Sequence, residues 1–95
     1  MAVSEEQLRE WVYRDVKEWF EAHGEPFGLQ FLAQRYSRAV KLHGFERMVE
    51  FVEKDKRLIV RTNRKGARLV APRDLLTEDY GTDMSKFWNA FGCPF

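Results

Sequence analysis

Along the first quarter of the chain, apolar residues fall at three- and four-residue spacing. Leu8, Trp11, Val12, Val16, Trp19 and Phe20 make one stripe, while Arg9, Arg14, Asp15, Lys17 and Glu18 cover the other side. That period belongs to an amphipathic helix. Ser4 with Gln7 three residues on reads as a capping box at its start, Gly24 suits a left-handed stop, and Pro26 prevents resumption. The pattern predicts a first helix over residues 4–23. Leu29, Leu32, Ala33, Tyr36 and Val40 then repeat helically, predicting a second helix from Leu29 to Val40. After Gly44, a third stripe of Phe45, Met48, Val49 and Val52 ends near Asp55. The short loops between these segments require the helices to pack tightly on each other.

Beyond Asp55 the period changes to two. Leu58 and Val60 alternate with Arg57, Ile59 and Arg61, and Leu69 and Ala71 alternate with Arg68 and Val70. Asn63-Arg64-Lys65-Gly66 between them is a turn, with Gly66 supplying the positive φ of a hairpin loop. A two- or four-residue loop pairs position 62 with 67, so 60 meets 69 and 58 meets 71, and Leu58, Val60 and Leu69 share an apolar face. A three-residue loop would mix the faces, so the even loop is expected. Pro72 stops the second strand. Three helices and then a β-hairpin is the order of a winged helix, an α+β fold with the hairpin as wing. The expected division is a winged-helix domain over residues 1–73 and a tail over 74–95. In the tail, Phe87, Trp88 and Phe91 favour a short helix from Ser85.

Ninety-five residues suit one domain with little room for a catalytic lobe. No run approaches the roughly 20 apolar residues that span a bilayer, and the opening Met-Ala-Val-Ser-Glu-Glu lacks the basic end and apolar run of a secretory signal. Cys93 is the single cysteine, so no internal disulfide forms. A reducing location, cytoplasm or nucleus, is expected. The formal net charge of +1 conceals an uneven layout. Residues 1–24 carry six acids against three bases, whereas 55–73 carry seven bases (Lys56, Arg57, Arg61, Arg64, Lys65, Arg68 and Arg73) against Asp55 alone. So local a basic segment points to one anion-facing surface.

In the expected register Arg61 and Arg68 stand directly opposite each other, a repulsive arrangement that bound phosphates or an acidic surface would relieve. The plain alternative is a solvated edge hairpin, since exposed lysine and arginine also protect strand edges. Arg35, Arg38 and Lys41 on the second helix extend the basic surface. The third helix points the other way, because Glu46, Glu50 and Glu53 would be repelled by duplex phosphates. Reading of a major groove by that helix is not expected, and its carboxylates suit a basic protein partner or plain solvation. Trp11, Trp19, Phe20 and Tyr36 are simplest as core, whereas Phe27 and Phe31 fall off the second stripe. His23, His43 and Cys93 follow no ligand spacing, and no phosphate loop or catalytic motif occurs. No enzyme activity, metal, cofactor, small-molecule substrate or membrane association is expected.

The segment Leu8 to Pro72 resembles the LOTUS domain (OST-HTH), a winged-helix module of RNA-regulatory proteins. The resemblance rests on the opening helix, on Leu29-Gln30-Phe31-Leu32-Ala33-Gln34-Arg35-Tyr36, on Gly44-Phe45-Glu46-Arg47-Met48-Val49-Glu50-Phe51-Val52, and on the hairpin that follows. It implies RNA binding, including guanine-rich structured RNA, or docking onto a DEAD-box helicase through a C-terminal helix. The leading expectation is therefore a non-catalytic RNA-binding module. It would contact phosphates through Arg57, Arg61, Arg64, Lys65 and Arg68, supported by Arg35, Arg38 and Lys41. The alternative is a protein-interaction module that uses Glu46, Glu50, Glu53, Phe87 and Trp88. A weaker third reading is a small transcription regulator that dimerises through its tail.

Overall fold

A computed structural model describes residues 3–94; positions 1, 2 and 95, at the ends of the 1–73 and 74–95 division, lie outside them. The described residues form an α+β domain of five helices and a three-stranded antiparallel sheet. Helix α1 spans Glu5–His23. The Ser4 hydroxyl accepts the Gln7 N–H at 3.1 Å, and Gly24 at φ 67 closes the helix by donating to the Phe20 carbonyl at 2.8 Å. Leu8, Val12, Val16 and Phe20 recur every fourth residue and are buried. Trp19 departs from the expectation of a core residue, being 37% exposed. It lies a quarter turn off that buried row, over the start of the next segment.

A two-residue strand β1 (Phe27–Gly28) leads straight into α2 (Leu29–Leu42). The third helix, α3, covers only Met48–Glu53, shorter than the stripe from Phe45 suggests. The cause is the way α2 ends. Gly44 at φ 89 donates to the Lys41 carbonyl, and Phe45 donates to the Val40 carbonyl, both at 3.1 Å. This paired closure uses Phe45 to cap α2, with its ring packed in the same core as Val40, so α3 starts later.

The hairpin is formed by β2 (Leu58–Thr62) and β3 (Arg68–Pro72), and β1 pairs with the free edge of β3, giving the order β1-β3-β2. Its register differs by one residue from the expected one: Val60 faces Val70, Arg61 faces Leu69 and Thr62 faces Arg68. The Asn63 N–H donates to the Ala67 carbonyl at 2.8 Å, and the Asn63 amide oxygen accepts from the N–H groups of Lys65 and Ala67. Three residues, Arg64 to Gly66, therefore span the tip, with Gly66 at φ 88. The odd loop puts Leu58, Val60 and Val70 on one face and Ile59, Leu69 and Ala71 on the other.

Both faces are covered, which removes the reason for expecting an even loop. Leu58, Val60 and Val70 pack on α1, α2 and α3, together with Leu8, Val12, Leu32 and Val52. Ile59, Leu69 and Ala71 pack on α4 (Arg73–Tyr80) and α5 (Ser85–Ala90), around Leu76, Phe87 and Trp88. Helix α4 has no apolar period visible in sequence, because Leu76 is its only buried residue. Two contacts fasten this end of the chain: the Tyr13 hydroxyl donates to Asp74 at 2.6 Å, and the Arg64 N–H donates to the Gly92 carbonyl at 2.9 Å. Burial and that carboxylate push the Tyr13 phenol up to about 12, so it remains a donor through the neutral range. Among the described residues no helix is long and apolar enough to cross a membrane.

Candidate functional site

The register decides which hairpin cations face outward together. Arg61 and Arg68 are not cross-strand neighbours, so the expected repulsive pair does not exist. Arg61 shares the face of Ile59 and Leu69, donates to the Val60 carbonyl at 3.2 Å and projects its charge toward Cys93. Burial nevertheless raises the Cys93 thiol above its ordinary value, with the Arg61 charge opposing it. Arg57 precedes β2 and is committed inside the fold. Its guanidinium bonds both oxygens of the buried Asp55, reaches Glu10 at 2.6 Å and lies 4.4 Å from the centre of the Tyr13 ring. The Asp55 hydrogen bonds, followed by Glu10, raise its pKa above the usual arginine value despite the cost of burial.

Arg35 stays exposed but is paired. Its Nη1 meets Asp15 at 2.9 Å, and the same carboxylate oxygen accepts the Tyr36 hydroxyl at 2.6 Å. The Asp15 bond raises the Arg35 pKa, and burial followed by the Asp15 bond raises that of Tyr36. Arg38, Lys41, Arg64, Lys65 and Arg68 are exposed, and none of them forms an ion pair within the described residues. Of the eight cations named from sequence, these five are the ones without an ion pair among the described residues.

Two of the five meet in a groove of about 680 Å³ between the hairpin, α2 and the turn before α3. Lys41 lines it from α2, and Arg68 and the backbone of Gly66 line it from the hairpin. Arg47, at the N-cap of α3, adds an exposed cation outside the eight named from sequence. Glu25 and Glu46 also line the groove, leaving three cations against two carboxylates. Arg64 and Lys65 stand beside it on the hairpin tip. Glu50 and Glu53 are exposed on α3 but do not line the groove. Phe87 and Trp88, named from sequence as partner-binding, are 3% and 0% exposed and offer nothing to a partner. They are held inside because the hairpin's second face needs apolar cover, which α5 provides.

Tyr80, against the Phe87 ring, is 41% exposed, but the cluster of aromatic residues that reaches solvent lies elsewhere. Trp19, Phe27 and Phe31 touch in series at the mouth of the groove, where Phe31 is 52% exposed. The pattern along the chain carries a partial signal of this, since Phe27 and Phe31 fall off the α2 stripe; for Trp19 it carries none. Comparison with protein-family models, with curated proteins and with solved structures finds no match. Among the described residues no group of three histidine, cysteine or acidic side chains is placed to hold a metal ion.

Proposed function

We propose that this chain is a winged-helix domain of the LOTUS type that binds RNA in the cytoplasm or nucleus, without catalysis. The order α1-β1-α2-α3-β2-β3, with β1 pairing β3 so that the hairpin lies alongside α2 and α3, supports the winged-helix reading. One observation carries the functional part: Lys41, Arg47 and Arg68 converge on a groove beside Arg64 and Lys65, and none of them forms an ion pair among the described residues. Cations left this way lose little on meeting phosphates, and the counterions released favour binding. Single strands are favoured over duplex DNA, since the exposed side of α3 presents Glu50 and Glu53. The rival, a module docking an RNA helicase through α3 and the terminal aromatics, loses its aromatic half because Phe87 and Trp88 are core residues.

The test is fluorescence anisotropy with a labelled single-stranded RNA, repeated across a salt series. In the combined variant Lys41→Ala, Arg64→Ala, Lys65→Ala, Arg68→Ala, affinity falls sharply and the salt slope flattens by roughly 0.7 for each phosphate no longer neutralised. Circular dichroism remains that of the parent, because all four side chains are exposed. An unchanged affinity and slope would overturn the proposal.

A further inference from the structure

Behind the Phe31 ring lies a second pocket of about 420 Å³, between α1 and the start of α2. Its walls are Trp19, Phe27 and Phe31, with Asp15, Glu18, Ala22 and His23 from α1 and its end and Arg35 from α2. The His23 ring packs against Trp19, centroids 4.1 Å apart, leaving the other side of the indole to the space. The rings do not stack flat. Trp19 and Phe27 meet at 5.3 Å and 77°, and Phe27 and Phe31 at 5.9 Å and 62°, so successive rings turn corners around the space. Gly28 fixes the last of them: a Cβ there would come within 3.0 Å of the Phe31 ring. A side chain at that position would push the ring aside by a few tenths of an ångström.

We propose that this pocket receives a methylated lysine side chain presented by a protein partner. Faces of aromatic rings carry negative potential and attract cations, most strongly where water is excluded. Asp15 is balanced by Arg35, which lines the same pocket, so Glu18 supplies the negative charge that reinforces that sign. The arrival of Arg35 at Asp15 already shows a guanidinium drawn to this carboxylate.

Methylation is selected by what the pocket lacks. An unmodified ammonium needs three acceptors to replace its water. Asp15 already accepts from Arg35 and Tyr36 on one oxygen, and Glu18 stands exposed at the rim. A trimethylammonium has no N–H to satisfy, sheds its hydration easily and fills a corner of rings. The proposal does not rest on RNA binding: Trp19, Phe27 and Phe31 border both spaces, but Lys41, Arg47 and Arg68, which carry the RNA reading, line only the groove.

The experiment is a nitrogen-15 NMR titration with three glycine-serine peptides that differ at one position. That position holds trimethyl-lysine, unmodified lysine, or the neutral tert-butyl analogue of trimethyl-lysine. The trimethyl-lysine peptide shifts the Trp19 indole N–H and binds about tenfold more tightly than either of the others, the margin expected of a cation over ring faces. Phe31→Ala abolishes that preference by removing a wall, and Gly28→Ala reduces it by shifting that wall, both with thermal midpoints close to the parent's. Glu18→Gln weakens binding about threefold, whereas Arg35→Ala strengthens it by releasing Asp15 to the ligand. Equal binding of the tert-butyl peptide would overturn the proposal, as would a Trp19 signal that moves with polyuridine and not with the trimethyl-lysine peptide.

Discussion

The guanidinium of Arg57 donates to both oxygens of Asp55 and to Glu10 while lying over Tyr13. In sequence Arg57 is indistinguishable from the other hairpin cations, because the carboxylates that hold it are two residues behind it and forty-seven residues before it. Only the second of these distances requires the fold. Arg57→Ala leaves the Asp55 carboxylate buried with only the residue 57 backbone N–H as donor. The expected cost is about 1–3 kcal/mol, at the lower end because Arg57 itself is partly open to water. Urea unfolding measures this, and RNA affinity of the folded variant remains within about twofold of the parent if Arg57 touches no phosphate. A large affinity drop at unchanged stability would return Arg57 to the binding surface. The same reasoning separates Arg35 from Arg38, three residues apart on α2, since only Arg35 finds a carboxylate on α1.

At the level of elements, α1, α2 and the hairpin were legible because each has a stripe of one period bounded by its own stop signals. What the sequence concealed has a common physical cause. A strand pair covered on one side shows one apolar face, and its register follows from the pattern. A strand pair covered on both sides reads Leu-Ile-Val and Leu-Val-Ala, and the register is set instead by the Asn63 turn. The cover itself was half hidden, since α5 shows its aromatic residues whereas α4 contributes one buried leucine. Trp88 is the centre of that cover, wholly buried, with its indole N–H lacking a hydrogen-bond partner among the described residues. Trp88→Ala is expected to cost about 3–5 kcal/mol, with Ile59 and Ala71 left facing a cavity. Trp88→Phe is expected to cost less than about 2 kcal/mol, because it removes an unsatisfied donor together with part of the ring volume. Thermal and urea unfolding distinguish the two. If Trp88→Ala lowered partner affinity without lowering stability, the assignment of Trp88 to the core would fail.

Across the whole molecule, charge is sorted by neighbourhood more than by total. The basic segment from Lys56 to Arg73 was plain in sequence, but folding divides it: Arg57 turns to α1, Arg61 to the tail face, and Arg64, Lys65 and Arg68 to the open side. The acids divide as well. Glu46, Glu50 and Glu53 look equivalent on a helical wheel, yet Glu46 precedes α3 and lines the groove with Lys41 and Arg47, whereas the other two do not. Glutamine keeps their size and removes their charge, and exposed single charges contribute little to stability. Glu46→Gln should therefore strengthen RNA binding about twofold to fourfold near 0.1 M salt, where the screening length is about 10 Å. The double variant Glu50→Gln, Glu53→Gln should change affinity by less than about 1.5-fold, since its charges lie outside the groove. Raising salt to about 0.5 M should erase the Glu46 effect, because the repulsion removed is itself screened. Anisotropy titrations of the three proteins at two salt concentrations test the ordering. If the Glu50 and Glu53 variant instead gained as much as Glu46→Gln, RNA would be lying along α3, and the groove would not be the path of the strand. If it changed preference among duplex sequences, α3 would be reading bases directly, and carboxylate repulsion would not be keeping that helix off a duplex.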